Sequence, residues 1–289
     1  MTPRDTALAF AVTAAWGAGL TIAKGTMVQF PPIFLMAVAL WTTAIVMQFY
    51  APGTPKTGHW RGAAIALFAV SLQSALIFKG LSGLEASTGG LLTQVQVPMA
   101  IFAAWALATE PVNWGKLLPI GIAFLGVAII IGLPSDTPPV VPTLIMLAGT
   151  VAWGIGQAMI AKYGQDDSDL LLKRTSLHGA IQLTIMTMVL ESGQWNAVLT
   201  ANLAHWAGLV YNSVIGFALA YVIWYGLLKR NPVSSVSPFI MVIPVVTVVT
   251  AALFLGDRLE MAELMGGALI LLGVAMAIGL LPQINRFQK

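Results

Sequence analysis

Polar and aromatic side chains recur within long apolar runs of this sequence, at spacings that put several of them on one face of a helix. Thr175, His178 and Gln182 stand at positions i, i+3 and i+7, and Trp153 and Gln157 are four residues apart. Amide and hydroxyl groups can bond a carboxylate, while aromatic rings offer stacking area and a cation–π partner for an ammonium group. The pattern predicts a cavity for a neutral or zwitterionic small molecule. Its predicted lining is Trp16, Ser74, Phe78, Thr93, Gln94, Trp153, Gln157, His178, Gln182, Asn212, Tyr221 and Ser237.

Each of these side chains has an alternative role in helix packing. Serine and threonine in apolar helices often bond the carbonyl four residues earlier. Glutamines such as Gln94 and Gln157 can hydrogen-bond a neighbouring helix rather than a ligand. His178 can do the same, or it can contact substrate or carry a proton, because a histidine titrates near neutral pH. The sequence leaves these alternatives open.

The elements that must position the candidates are apolar helices. Of the 289 residues, 58% are apolar and 9% are charged, whereas soluble domains have about 45–50% and about 25%. A helix crosses a bilayer core with roughly 17–25 apolar residues. We therefore predict an all-α polytopic membrane protein with ten transmembrane helices, separated by turns rich in proline and glycine. The predicted spans are 6–23, 33–50, 60–79, 86–108, 114–133, 140–162, 172–190, 203–227, 233–255 and 263–281.

The sequence lacks the residues that several other functions need. It contains no cysteine, which excludes a disulfide framework and a thiolate metal site. Its net charge of +3 comes from 14 basic and 11 acidic residues without a basic block, so nucleic acid is not an expected partner. No phosphate-binding loop, G-x-S-x-G or H-E-x-x-H motif is present, and the three histidines are dispersed. We expect no catalytic residue, cofactor or metal, and predict that the protein is not an enzyme.

The charged residues predict an orientation. With a cytoplasmic N-terminus, eleven of the fourteen Lys and Arg residues fall in inner segments, and Lys24, Lys79 and Arg258 fall in outer ones. Membrane proteins keep basic loops on the cytoplasmic side, so both termini are predicted to be cytoplasmic. All eleven acidic residues fall at span ends or in loops. This disfavours an acidic proton relay in the membrane core and leaves passive facilitation or another form of coupling.

Short motifs recur in the same order in the two halves of the chain. They predict a first five-helix repeat over 1–135 and a second over 136–289, inverted because five is odd. Inverted halves around a central site are the architecture of alternating access. Pro98 and Pro244 interrupt spans 4 and 9, either as static kinks or as a symmetry-related pair of hinges. The recurrences, at shifts of 137 to 147 positions, are Ala15-Trp16-Gly17 with Ala152-Trp153-Gly154, Gly80-Leu81 with Gly226-Leu227, Pro98 with Pro244, and Gly126-Val127-Ala128 with Gly273-Val274-Ala275.

The order of these motifs resembles the EamA-type family of the drug/metabolite transporter superfamily. Each half has Trp-Gly in its first helix, a proline within the fourth, an acidic residue after it, and Gly-Val in the fifth. These motifs are Trp16-Gly17, Pro98, Glu110 and Gly126-Val127, then Trp153-Gly154, Pro244, Asp257 and Gly273-Val274. Asp257 departs from the glutamate that is usual there. The resemblance covers essentially the whole chain and extends to the aromatic amino-acid exporter group. It implies ten helices in two repeats and a carrier of the bacterial inner membrane.

Together these features predict a secondary transporter that exports amino acids, aromatic or otherwise apolar and neutral, or related small metabolites by alternating access. Its expected partners are that small-molecule substrate and the lipid bilayer, and we expect a monomer. Two alternatives stay open: a carrier of the same fold for drugs or sugar derivatives, and a channel. A phosphorylated substrate would need arginine or lysine in the core, and a channel would need polar stripes along several helices.

Overall fold

The computed structural model describes residues 1–109, 111–132, 140–231, 236–258 and 260–277. Within these ranges the regular secondary structure is helical, and no β-strand is found there. Helices occupy the predicted apolar runs, with ends that differ by a few residues. They are α1 (Pro3–Thr26), α2 (Pro32–Tyr50), α3 (His59–Ser82), α4 (86–106), α5 (Leu117–Gly132), α6 (Val140–Tyr163), α7 (Ser168–Leu190), α8 (203–230), α9 (237–254) and α10 (Met261–Ala277).

Five of these helices, α1, α2, α3, α6 and α8, are long and apolar enough to cross a bilayer. Over the described residues, α5, α9 and α10 are shorter apolar helices. α4 is interrupted, and α7 carries Asp169, Lys173 and Arg174 in its first two turns. A short helix that was not predicted, Gln194–Thr200, connects α7 to α8. The described chain is therefore a bundle of apolar helices with short connections.

Helix ends follow local capping chemistry. The Thr2 side chain accepts a hydrogen bond from the Asp5 N–H at 3.1 Å, and Pro3 occupies the first helical position of α1. Pro32 holds the same position in α2. Gly256 follows α9 with a φ of 76°, in the left-handed region that favours glycine. These signals set where the apolar helices begin and end.

Four helices contain irregular turns. α3 and α8 each include a π-helical segment, while α4 and α9 each include a 3-10 turn. The segments are Leu67–Leu72 in α3, Tyr211–Leu219 in α8, Thr93–Val95 in α4 and Ser237–Met241 in α9. Each 3-10 turn comes shortly before a proline, Pro98 or Pro244, which has no N–H for the carbonyl four residues earlier. Proline therefore accounts for the irregularity of α4 and α9.

Helices α5 and α10 pack closely through glycines. A Cβ on Gly126 would overlap the Gly266 carbonyl oxygen and lie 2.9 Å from the Ile270 nitrogen. A Cβ on Gly273 would lie 2.5 Å from the Pro119 carbonyl oxygen and 2.6 Å from the Ala123 nitrogen. Positions 266 and 270 follow 119 and 123 by 147 residues, which is also the shift from 126 to 273. The two helices thus contact each other through matching positions, at a separation that only glycine permits.

Two further glycine contacts join distant parts of the chain. Gly17 of α1 packs against α9, where an added Cβ would lie 2.7 Å from the Ile243 carbonyl oxygen. Gly154 of α6 packs against α4, where it would lie 2.6 Å from the Met99 carbonyl carbon. α2 and α7 pack along each other. Each of these pairs joins a helix of residues 1–135 to one of residues 136–289.

The bundle has two ends, which we call the N-terminal face, where α1 begins, and the opposite face, where α1 ends. On the opposite face the Lys24 ammonium donates to the carbonyls of Leu81 and Ser82, at 3.2 and 2.8 Å. The Asp257 carboxylate accepts from the N–H and hydroxyl of Ser87, at 3.1 and 3.0 Å. The connection between α3 and α4 is thereby held from both sides by α1 and the α9–α10 connection.

Other contacts hold α2 and α7 together at both faces. On the opposite face the Glu191 carboxylate accepts from the N–H groups of Ile33 and Phe34, both at 2.9 Å, at the start of α2. On the N-terminal face the Asp166 carboxylate accepts from the N–H of Thr57 at 2.8 Å and from that of Lys56. The connections at both ends of this helix pair are therefore anchored by carboxylates.

Candidate functional site

A cavity of about 260 Å³ lies in the middle of the bundle, close to the lower end of the range for small-molecule sites, about 300 Å³. Eight helices contribute described residues to it, and none of the described residues of α5 and α10 is among them. No Asp, Glu, Lys, Arg or His side chain is among the described residues that line it. The lining consists of Trp16, Gly19, Leu20, Leu40, Thr43, Ala69, Val70, Gln73, Ser74, Ile77, Phe78, Thr93, Gln96, Trp153, Gln157, Ile160, Leu172, Thr175, Asn212, Gly216, Phe217, Tyr221, Trp224, Ile240 and Ile243.

One side of the cavity is an aromatic wall, formed by Trp16 of α1 with Phe217, Tyr221 and Trp224 of α8. The Trp16 ring centre lies 5.5 Å from that of Tyr221 and 5.1 Å from that of Trp224. Phe217 and Tyr221 are 5.5 Å apart. The Trp16 indole N–H donates to the Gly216 carbonyl at 2.8 Å, in the π-helical segment of α8. This bond and the ring contacts fix the indole plane against the cavity.

The second side is a polar wall, formed by Gln73 and Ser74 of α3, Thr93 and Gln96 of α4, and Gln157 of α6. The Gln73 amide donates to the Ser74 hydroxyl at 3.2 Å. Amides and hydroxyls both donate and accept hydrogen bonds, so this wall can meet a carboxylate without a fixed positive charge. The cavity can therefore receive an apolar group on one side and a polar group on the other.

Eight of the twelve predicted lining residues are brought together around this cavity. They come from five helices, α1, α3, α4, α6 and α8, and their contact with a substrate stays a prediction. The eight are Trp16, Ser74, Phe78, Thr93, Trp153, Gln157, Asn212 and Tyr221. The Asn212 amide also donates to the Gly208 carbonyl at 3.0 Å, within its own helix.

Gln94 does not line the cavity in this structure, because it lies on a different face of α4 from Thr93 and Gln96. Successive residues of a 3-10 helix are rotated by about 120°, so positions i and i+3 share a face. Thr93 and Gln96 accordingly both face the cavity, while Gln94 is turned away and fully buried.

His178 and Gln182 also lie away from the cavity because α3 packs over them. The Gln182 amide donates to the Ala63 carbonyl at 2.9 Å, and its oxygen accepts from the Ser71 hydroxyl. The His178 ring packs edge-on to His59 at 5.6 Å. Gln182 thus makes the helix–helix hydrogen bonds of the packing alternative, whereas the His178 Nε2 is buried without a hydrogen-bond partner and the role of His178 stays a prediction. Thr175, on the same helix, does reach the cavity.

Three other predicted positions concern the turns of α4 and α9. Pro98 and Pro244 are both buried and follow the 3-10 turns, and their role as hinges stays a prediction. The Ser237 side chain lies outside the described residues, as does Glu110. The backbone of residue 237 begins the 3-10 turn of α9.

Sequence reasoning missed several residues of the two walls. The predicted lining left out Gln73 and Gln96 of the polar wall, and Gln96 stands three residues after Thr93, a spacing that shares one helix face. It also left out Phe217 and Trp224 of the aromatic wall. With Tyr221 they stand at i, i+4 and i+7, which is the signal that would have found them.

Charged groups lie at the two faces rather than in the cavity. Partial desolvation raises the pKa of the Glu85 carboxyl on the opposite face, and the nearby carboxylates of Asp257 and Glu263 raise it further. On the N-terminal face, burial acts to raise the pKa of Asp166, but hydrogen bonds from Thr57 and Lys56 outweigh it and leave that pKa below its usual range. The folded protein therefore favours the protonated form of Glu85 on the opposite face and the ionised form of Asp166 on the N-terminal face.

Comparison with known proteins matches most of the chain to one family. The model of the EamA-like transporter family matches residues 6–132 and 142–279. Two relatives named probable amino-acid metabolite efflux pump come from Salmonella typhimurium and Escherichia coli, with 24% and 23% identity over 95% of this chain and 94% of each relative. A solved crystal structure with 15% identity has a TM-score of 0.67 over 95% of this chain and 96% of its own. That likeness shows the fold.

Proposed function

Because the chain belongs to the EamA-like transporter family, we propose that it exports small neutral zwitterions across the bacterial inner membrane by alternating access. The proposed substrates are amino acids with aromatic or other apolar side chains, or related metabolites. Its family and its apolar helices make it a multi-pass membrane transporter. The relatives from Salmonella and Escherichia carry the name amino-acid metabolite efflux pump, which agrees with this class of substrate.

The observation that carries the proposal is an uncharged cavity with one aromatic wall and one polar wall. An ammonium group and an apolar side chain fit the faces of Trp16 and Tyr221. A carboxylate can accept hydrogen bonds from the side chains of Gln157, Gln96 and Ser74. A phosphate would be expected to meet arginine or lysine, and the described lining has neither. A zwitterion with an apolar side chain satisfies both walls.

The proposed mechanism uses two inverted five-helix repeats, 1–135 and 136–289. The mirrored contacts of Gly126 and Gly273 support it, because a twofold axis between α5 and α10 would produce them. The contacts of α1 with α9 and of α6 with α4 support it too, since they form one symmetry-related pair. The irregular turns likewise fall in corresponding helices, α3 with α8 and α4 with α9. Two near-equivalent halves can exchange conformations at low energetic cost.

We infer that the structure represents a state closed at the opposite face. The bonds from Lys24 to Leu81 and from Asp257 to Ser87 join the helices around that end. The cavity reaches toward the N-terminal face, where Leu172 and Ile160 line it within about one turn of their helix ends. With the N-terminus in the cytoplasm, this state would receive substrate from inside the cell.

Transport into liposomes tests the proposal. Purified protein is reconstituted, and uptake of labelled tryptophan, leucine, glutamate and a sugar phosphate is measured with and without a pH gradient. We expect saturable uptake of tryptophan and leucine but not of glutamate or the sugar phosphate. The Gln157→Leu variant removes the amide from the polar wall, so its uptake should be lower than that of the wild type. Protein that is folded but moves no amino acid would contradict the proposed function.

A further inference from the structure

We propose that Gln94 and Ile240 exchange environments during the transport cycle, so that Gln94 faces the cavity when Ile240 leaves it. In the structure described here, Ile240 lines the cavity and Gln94 is buried outside it. The proposal rests on the alternating access proposed above. It assigns to the pair a role in setting the balance between the two states, which the cavity lining alone does not indicate.

The burial of Gln94 is the first observation. Its side chain is fully buried, and neither its amide nitrogen nor its carbonyl oxygen has a hydrogen-bond partner. A buried polar group without a partner is costly, and most such groups in native proteins are paired. The observed state therefore leaves the Gln94 amide unsatisfied, and a conformation that turned it into the cavity would give it hydrogen-bond partners in the polar wall.

The second observation is that Gln94 lies in the segment most suited to change conformation. It is the central residue of the 3-10 turn Thr93–Val95, between the two α-helical parts of α4. Pro98 stands four residues later and has no N–H to donate to the Gln94 carbonyl. A change between 3-10 and α-helical geometry rotates the residues of the turn relative to their neighbours. Such a change turns the side chain of residue 94 by about 20° for each residue that converts, so this segment can contribute to a reorientation of Gln94.

The third observation is the asymmetry between corresponding positions. Residue 240 follows residue 94 by 146 positions, the shift that also relates Pro98 to Pro244. Ile240 lies in the 3-10 turn of α9, four residues before its proline, as Gln94 does in α4. If the halves exchange conformations, residue 94 takes up the environment that residue 240 has now. Residue 94 then lines the cavity, and residue 240 is buried.

The chemistry of the pair favours this exchange. An isoleucine is better suited to burial and a glutamine to a polar cavity, yet this structure has them the other way round. The contacts of Lys24 and Asp257 at the opposite face hold the observed state against that preference. Loss of those contacts should therefore release the exchange.

The absence of cysteine from the sequence makes the exchange measurable by thiol labelling. Gln94→Cys, Ile240→Cys and Thr93→Cys are made singly, and their reaction with 2-aminoethyl methanethiosulfonate is followed by mass spectrometry. Each is also combined with Lys24→Met and Asp257→Ala, which remove the donor to Leu81 and Ser82 and the acceptor for Ser87 at the opposite face. Thr93→Cys is the control, because Thr93 lines the cavity in the same turn as Gln94.

We expect Ile240→Cys to react faster than Gln94→Cys with the closure intact. Without the closure, Gln94→Cys should react faster than Ile240→Cys. The ratio of the two rates should change by at least about tenfold, in line with a shift from one state to the other. If Gln94→Cys stays unreactive while Thr93→Cys reacts, or if both rates keep their original ratio, the proposal is wrong. The labelling needs no substrate, so it separates this outcome from a failure of the proposed transport.

A second measurement keeps the test independent of labelling. Gln94→Leu removes the unpaired amide from the observed state, so its melting temperature should rise by about 2–4 °C. Its amino-acid flux should fall about fivefold, as expected when one state of a cycle is over-stabilised by this amount. A variant that loses both stability and flux would show that Gln94 has only a structural role. Wild-type protein without flux would instead contradict the proposed function.

Discussion

The two walls of the cavity come from corresponding helices of the two halves, yet they differ in chemistry. Trp16 and Trp153 are identical residues at the shift of 137, and both line the cavity. One helical turn further on, the same shift pairs Leu20 with Gln157. At the shift of 146, Ser74 of the polar wall corresponds to Ala220. A duplicated scaffold thus keeps its packing residues and differs in the polar residues that face the cavity.

A symmetric fold can hold an asymmetric ligand when its helix packing is symmetric and its cavity lining is not. Conformational exchange between halves requires similar backbones, which the matched glycines of α5 and α10 provide. Orientation of a zwitterion requires unlike walls, since its apolar and carboxylate ends need different partners. The fold meets both demands by keeping symmetry in helix packing and breaking it in the lining. Substitutions that make the walls alike or remove one of them test this interpretation.

The largest effect is expected when the polar wall is made like its counterpart. Gln157→Leu copies Leu20 into the second half and removes a hydrogen-bond donor to the substrate carboxylate. A hydrogen bond to a charged group contributes about 1.5–3 kcal/mol, so the KM for tryptophan should rise at least about tenfold. The measurement is saturable uptake into liposomes.

Leu20→Gln is the matched control for this prediction, because it adds an amide to the aromatic side and leaves the polar wall intact. Its KM should change less than that of Gln157→Leu. If Leu20→Gln has the larger effect, the assignment of the carboxylate to the polar wall is wrong.

The second effect comes from removing the centre of the aromatic wall. Trp16→Ala eliminates the ring contacts with Tyr221 and Trp224 and the surface for an ammonium group. Stacking and cation–π contacts contribute about 0.5–2 kcal/mol each, so uptake of tryptophan should fall about tenfold. Trp153→Ala, at the corresponding position, should have a smaller effect because no neighbouring aromatic ring is found for Trp153 among the described residues. Equal losses in the two variants would show that the walls act alike.

The helix positions and the composition of the cavity could be read from the sequence, because long apolar runs and clustered polar residues are local patterns. The sequence did not always show which face of a helix lines the cavity. Gln94 is turned away from the cavity that Thr93 and Gln96 line, because adjacent residues of a helix point in different directions. Gln182 faces α3 instead of the cavity, since a polar stripe does not reveal which neighbour covers it. The π-helical segment of α3 contains no proline or glycine to signal it.

A smaller effect is expected at a single hydroxyl of the polar wall. Ser74→Ala removes the acceptor of the Gln73 amide and one contact for a carboxylate, while leaving the other amides in place. A typical hydrogen bond contributes about 0.5–1.5 kcal/mol net, so KM should rise about threefold. Ala220→Ser, the reciprocal change at the corresponding position of the aromatic side, should leave KM nearly unchanged. A loss in Ala220→Ser as large as that in Ser74→Ala would contradict the role of the Ser74 hydroxyl in binding, because Ala220 is not among the described residues that line the cavity.

The smallest effect is that of pH, because neither wall carries an ionisable group that titrates near neutrality. Substrate KM should therefore be nearly constant between pH 5.5 and 8, while stability changes through the faces of the bundle. The pKa of Glu85 is raised in the folded protein, so the folded state binds more protons than the unfolded state between the ordinary pKa and the raised one. The contribution of Glu85 to stability is fully present below its ordinary pKa and is lost as the pH rises through the raised one, which is opposite in sign to the contribution of Asp166. Melting temperatures measured from below the ordinary pKa of Glu85 upward would show this loss in wild type but not in Glu85→Gln. A KM that followed the same pH profile as stability would place an ionisable group in the binding site and contradict the assignment of two uncharged walls.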